Sequence, residues 1–147
     1  MPSSRTGVSA MQRAFDRSLN SLGEVLKFVD VFVEQQDLSG KIAFATRLVV
    51  EELFANLVRH NEGGEDRIEV SLGMDAGLLT LRLWDFGVEP FDIADREPVD
   101  VGRPLSERTA GGLGLHFVKS FFDNLTYECS DGVMCVTATK RVGRSDV

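Results

Sequence analysis

KIAFATRLVVEELFANLVRH, Lys41 to His60, is the stretch from which the fold can be read. Ile42, Ala45, Leu48, Val49, Leu53 and Leu57 recur at three and four, the spacing of an apolar stripe along an α-helix. Asn61 to Asp66 closes the helix with glycines and charges. Beside the stripe stand Glu52, Asn56 and His60, four apart. Each is rotated about 40° from the last and displaced about 6 Å along the axis, so the three share a face. An unpaired buried carboxylate is costly, so the line is either an ordinary solvated face or a working one.

Working outward toward the N-terminus, Ser21 and Glu24 have the spacing of a capping box, which starts a first helix near Ser21. Leu22, Val25, Leu26, Val29, Phe32 and Val33 form its stripe, and Asp37 to Gly40 is the break. Before it, Val8, Ala10, Gln12 and Ala14 carry a faint period of two, expected of a strand. Toward the C-terminus, Arg67 to Leu72 and Leu78 to Trp84 alternate and form a hairpin about Gly73 to Gly77. Gly87 to Gly112 has three of the four prolines and no period, which reads as a long loop of the kind that serves as a lid. Leu113 to Phe122 has helical spacing, and Leu125 to Glu128 with Val133 to Lys140 forms a last hairpin about Ser130-Asp131-Gly132. Strands and helices in this order, without βαβ alternation, predict an α+β, two-layer fold: a mainly antiparallel, mixed sheet with helices on one face. The expected division is an N-terminal segment, 1–17, partly strand, then one domain over 18–141 and a tail over 142–147.

Composition limits the function classes. A chain of 147 residues, 43% apolar and 27% charged, is one globular domain in size. The formal net charge of -7 argues against direct binding of nucleic acid, which needs a basic face for the phosphates. No apolar run approaches the ~20 residues of a membrane span, and the polar Met1 to Met11 lacks a signal-peptide core, so a cytoplasmic location is expected. Cys129 and Cys135 lack the second pair a zinc site needs and read as buried thiols.

Two further motifs carry chemistry. Asp85-Phe86-Gly87 follows the strand that closes on Trp84, with Pro90-Phe91-Asp92 beyond it. An acid at a strand end accepts a hydrogen bond from an exocyclic amine, and a glycine there allows close backbone approach or a positive φ. A plain turn would use the same residue types. Gly111-Gly112-Leu113-Gly114-Leu115 opens the last helix, where free N–H groups and the helix dipole suit phosphate, although a hinge is the bland alternative. No P-loop pattern occurs.

Together these pieces resemble a known family. Val50 to His60 resembles the N box of Bergerat-fold ATPases in the E-x-x-x-N-x-x-x-H form of the anti-sigma factor serine kinases. Asp85 to Gly87 with Pro90 to Asp92 looks like that family's adenine box, and Gly111 to Leu115 like its phosphate-binding glycine box. The resemblance covers roughly Ser18 to Arg141, including the closing Thr137 to Arg141 strand. It implies a Bergerat ATP-binding fold with Mg²⁺ and ATP as cofactors. Asn56 would ligate Mg²⁺, Glu52 would be the general base, and Asp85 would bind the adenine amine. Gly87 and Phe91 would shape the adenine pocket, while Gly111, Gly112, Leu113 and Gly114 would hold the phosphates. Arg108 in the lid would reach the γ-phosphate; Arg103 reads more simply as a solvated charge, and His60 as a structural residue at the pocket edge. The implied partners are ATP or ADP, an anti-anti-sigma antagonist protein, a sigma factor and a second copy of the chain as a homodimer.

Two functions follow: a protein serine kinase acting on the antagonist, or a nucleotide-gated binding module with little transfer activity. Glu52 favours the kinase, and helical phase selects it over Glu51. A sensor histidine kinase or chaperone core fits less well, because the 147 residues include no dimerisation helix with a phosphoacceptor His.

Overall fold

The computed structural model describes residues 8–60, 66–87 and 121–143. Strand β1 (Val8–Asp16) leads through a short 3-10 turn (Leu19–Ser21) into helices α1 (Leu22–Gln35) and α2 (Gly40–His60). Hairpin β2 (Arg67–Asp75) and β3 (Leu78–Phe86) follows, and hairpin β4 (Asn124–Ser130) and β5 (Val133–Arg141) comes last. The sheet order is β1-β2-β3-β5-β4, and all four pairings are antiparallel. The α+β expectation holds, and where some mixing of strand direction was expected the described sheet has none.

Alternation along the strands assigns the faces. Ile68, Val70 and Leu72 on β2, Leu79, Leu81 and Leu83 on β3, and Met134, Val136 and Ala138 on β5 are all buried. Register stacks them into rows, Leu72–Leu81–Ala138 and Val70–Leu83–Val136, because a period of two keeps cross-strand partners on one face. The helices cover that face with Val25, Phe28, Val29 and Phe32 of α1 and Val49, Val50, Leu53, Phe54 and Leu57 of α2. Phe15 ties β1 to both, edge-to-face with Phe28 at 5.6 Å and with Phe54 at 6.4 Å. Val142, just past β5, is also buried.

Both hairpins close on two-residue turns with positive φ, at Ala76 and Gly77 (52° and 82°) and at Asp131 and Gly132 (53° and 79°), the type I′ geometry that matches strand twist. The Asp-Gly signal therefore reads correctly. In the first hairpin, Gly73 to Asp75 remain paired with Thr80 to Leu78, so the turn is tighter than the glycines suggested.

The capping box is not formed. Ser21 already has helical angles and makes no side-chain cap bond; its hydroxyl donates to the Asp16 carbonyl. Glu24 instead pairs with Arg13 at 2.9 Å. The 3-10 turn supplies a helical turn ahead of α1, so the capping role moves to Ser18, whose hydroxyl accepts from the Asn20 N–H at 3.0 Å. The expected break behaves as read: Asp37 takes φ 56°, Leu38 N–H reaches the Val33 carbonyl and Asp37 N–H the Glu34 carbonyl, a Schellman termination. Cys129 and Cys135 are half-buried where full burial was expected.

Candidate functional site

The polar line on α2 takes a distinct position at each of its described members. Leu53 and Leu57 are 2% exposed, and Asn56 between them is 7% exposed, so its carboxamide lies at the edge of the core. One turn earlier Glu52 is half-buried, whereas Glu51 is exposed. The Glu52 Oε2 atom is buried with no hydrogen-bond partner among the described residues. Burial raises the Glu52 pKa above the ordinary carboxylate value; the Arg59 guanidinium pulls it down and the Glu51 carboxylate pushes it further up. An unpaired buried acceptor is unfavourable in a resting protein, and it suits a site that receives a hydroxyl.

Asp85 lies inside β3, one residue before its end, and so belongs to the sheet itself. Its direct register partners are Ile68 on β2 and Met134 on β5, and it is 1% exposed on the core face. The pairing is with Arg17, at the junction of β1 and the 3-10 turn: Nη2 donates to Asp85 Oδ1, and both side chains are nearly inaccessible, at 7% and 1% exposed. Nη1 of the same guanidinium donates to the Leu57 carbonyl at 3.3 Å. That carbonyl lies in the last turn of α2, and a helix C-terminus favours a cation. Burial lowers the Arg17 pKa, and the Asp66 carboxylate opposes the shift. The main-chain N–H of Arg17 is bound to the Asp66 carbonyl at 2.8 Å, which fixes the base of the side chain.

A single arginine thus bridges the last turn of α2 to the end of β3, bringing Asp85 within one guanidinium of the helix that carries Glu52 and Asn56. No local signal in the sequence marks Arg17, because its contacts lie 40 and 68 positions away. Gly87, directly after β3, takes φ 71°, the positive angle its position in the motif suggested. An open groove between β1 and α1, lined by Met11, Gln12, Arg13, Lys27, Phe28 and Val31, contains none of these residues. Phe91, Arg103, Arg108, Gly111, Gly112, Leu113 and Gly114, and with them the glycine box and most of the last helix, lie outside the described residues, as does the His60 side chain.

The chain is thus an α+β domain with a five-stranded antiparallel sheet covered on one face by helices, in which Arg17 ties a buried strand-end acid, Asp85, to the helix that carries Glu52 and Asn56. The family of histidine kinase-like ATPase domains matches residues 15–140. A serine-protein kinase, RsbW of Listeria monocytogenes serovar 1/2a, is 30% identical over 109 residues, covering 69% of this chain and 67% of that protein. The histidine kinase AdeS of Acinetobacter baumannii superposes with a TM-score of 0.52 over 91% of this chain and 68% of its own, at 14% identity, a likeness of fold alone. The chain belongs to the histidine kinase-like ATPase domain family and, within it, to the anti-sigma factor serine kinases. Among the described residues no helix is long and apolar enough to cross a membrane.

Proposed function

We propose that this chain is an Mg-ATP-dependent protein serine kinase that phosphorylates an anti-anti-sigma antagonist and binds a sigma factor in alternation with it, as a cytoplasmic homodimer. The observation that carries the reading is the buried Oε2 of Glu52, without a hydrogen-bond partner among the described residues, one helical turn from Asn56 and on the helix that Arg17 ties to Asp85. Similarity to a serine-protein kinase supports it at family level.

The residues present suit Mg-ATP. Asp85 offers a carboxylate acceptor to the adenine amine, and Asn56 offers a hard amide oxygen to Mg²⁺, which is usually shared between few protein groups, water and the phosphates. Held by Asn56, Mg²⁺ would supply neutralisation of the phosphate charge during transfer. Glu52 takes the proton from the substrate serine hydroxyl; as the serine oxygen bonds to the γ-phosphorus, the bond to the bridging oxygen breaks and ADP leaves. Burial raises its pKa above the ordinary carboxylate value, which strengthens its carboxylate as a base. By the family resemblance, Arg108 and the glycines Gly111, Gly112 and Gly114 would serve the phosphates, Phe91 and Leu113 would contact the nucleotide, and Gly87 would serve the adenine.

The test is transfer of labelled phosphate from Mg-ATP to a purified antagonist protein, with ADP titrations alongside. Wild type should transfer, Glu52→Gln should bind ADP but lose roughly 10²- to 10⁴-fold in rate, and Asp85→Asn should lose nucleotide binding. ADP binding without transfer to any antagonist would replace the kinase by the nucleotide-gated module.

A further inference from the structure

Asp85 occupies a row of the sheet that is otherwise apolar: Ile68 and Met134, its partners on either side, are both 0% exposed. A carboxyl group in such a row stays ionised only where a cation neutralises it; without one, burial drives it to take up a proton. Arg17 is in position to be that cation. Its guanidinium is fixed at one end by the Leu57 carbonyl and at the other by Asp85 Oδ1, and its main chain is fixed by Asp66. Such a doubly anchored guanidinium is a permanent positive charge beside Asp85, since an arginine does not lose its proton in proteins.

The protonation state of Asp85 decides which base it can recognise. Ionised, it only accepts hydrogen bonds; protonated, it gains a donor. A 6-aminopurine presents a donor at that position and a 6-oxopurine an acceptor. We infer that Arg17 is a specificity-determining positioning residue: by pairing with Asp85 it keeps that acid an acceptor and so makes the site select 6-aminopurine over 6-oxopurine nucleotides. The inference rests on the proposed contact between Asp85 and adenine. An ionised carboxylate has about four lone-pair sites, enough for the arginine and the amine together.

The experiment is calorimetric titration of ADP and inosine diphosphate into wild type, Arg17→Met, Arg17→Lys and Asp85→Asn. Wild type should prefer ADP by roughly 5- to 150-fold, the range for one mismatched buried hydrogen bond. In Arg17→Met the preference should fall to within about 3-fold of unity or invert, through loss of ADP affinity and gain of inosine diphosphate affinity, whereas a merely structural defect weakens both alike. Arg17→Lys, which keeps the charge, should retain the preference, and it decides the matter where Arg17→Met does not fold: a collapsed preference there overturns the inference. An unchanged ratio in Arg17→Met, or tighter ADP binding than wild type, also overturns it, the latter because the arginine would then be occupying the acceptor. Asp85→Asn should bind neither nucleotide measurably; if it binds both at the wild-type ratio, or if wild type binds neither, the adenine contact itself is wrong.

Discussion

Replacing Glu52 by Gln should make the protein more stable while removing its proposed base. Oε2 of Glu52 is buried and has no hydrogen-bond partner among the described residues, so the fold keeps this acceptor from the water that would otherwise solvate it. A buried unsatisfied acceptor costs about 1–3 kcal/mol. Here the rest of the side chain is half-exposed and Arg59 attracts it, so solvent screening leaves the low end, about 1 kcal/mol. In a domain of this size that is a rise in Tm of about 3 °C for Glu52→Gln near pH 7. The dependence on pH has a definite sign. Burial raises the pKa in the folded state above the ordinary 4.5, so the folded protein holds its proton more tightly than the unfolded chain. Wild-type stability is therefore penalised fully above the folded-state pKa, and the penalty fades as pH falls toward 4.5. Thermal melts followed by circular dichroism from pH 4 to pH 8 should show the variant's advantage largest at the neutral end and gone at the acid end. A variant no more stable than wild type at pH 7, or an advantage of constant size across the series, would refute the desolvation argument.

Two further substitutions probe the scaffold. Phe54 is 0% exposed and packs edge-to-face on Phe15, so Phe54→Ala should cost about 3–5 kcal/mol by urea denaturation, with an unchanged m-value if the fold is kept. Gly77 holds φ 82° at the turn of the first hairpin, and a Cβ there would meet the Val142 carbonyl at a tolerable 3.6 Å, so Gly77→Ala should cost about 1–2 kcal/mol through backbone conformation alone, and Gly77→Asn, which tolerates that angle better, should recover part of it.

Periodicity made the helices and hairpins legible, because the same residues that set the period also form the core. Leu53 and Leu57 fix the phase of α2, and with it the face that carries Glu52 and Asn56. Asp85 was legible as an acid near a strand end but not as a member of a core row, since β3 runs through Phe86 and only cross-strand register reveals Ile68 and Met134 beside it. Ser21 and Glu24 misled because a capping box is defined by spacing, and spacing cannot show that a 3-10 turn has already begun the helix at Leu19. Arg17 left no trace at all: its position is set by a pairing between Arg17 and Asp66 main chains and by a carbonyl on another helix, none of which imposes a pattern on neighbouring residues.

The polar groups of the site share one energetic signature. The described core is apolar along β2, β3 and β5 except at Asp85, and the buried side-chain acceptor without a partner is on Glu52. Leucine at either position would continue the adjacent apolar rows, and a buried ion pair such as Arg17–Asp85 is seldom more stabilising than well-packed hydrophobic side chains of similar volume. Stability alone therefore does not account for an acid in the Ile68–Met134 row or for a carboxylate turned inward on α2. Both departures fall on elements held rigidly by packing, one on a central strand paired on both sides and the other on a helix anchored by Val49, Val50, Leu53, Phe54 and Leu57. Rigid placement is what a phosphoryl-transfer site requires, because positioning and charge neutralisation supply most of its catalysis. The same packing that makes the two acids costly to the fold gives them the fixed positions that the proposed roles toward a nucleotide and a hydroxyl would require.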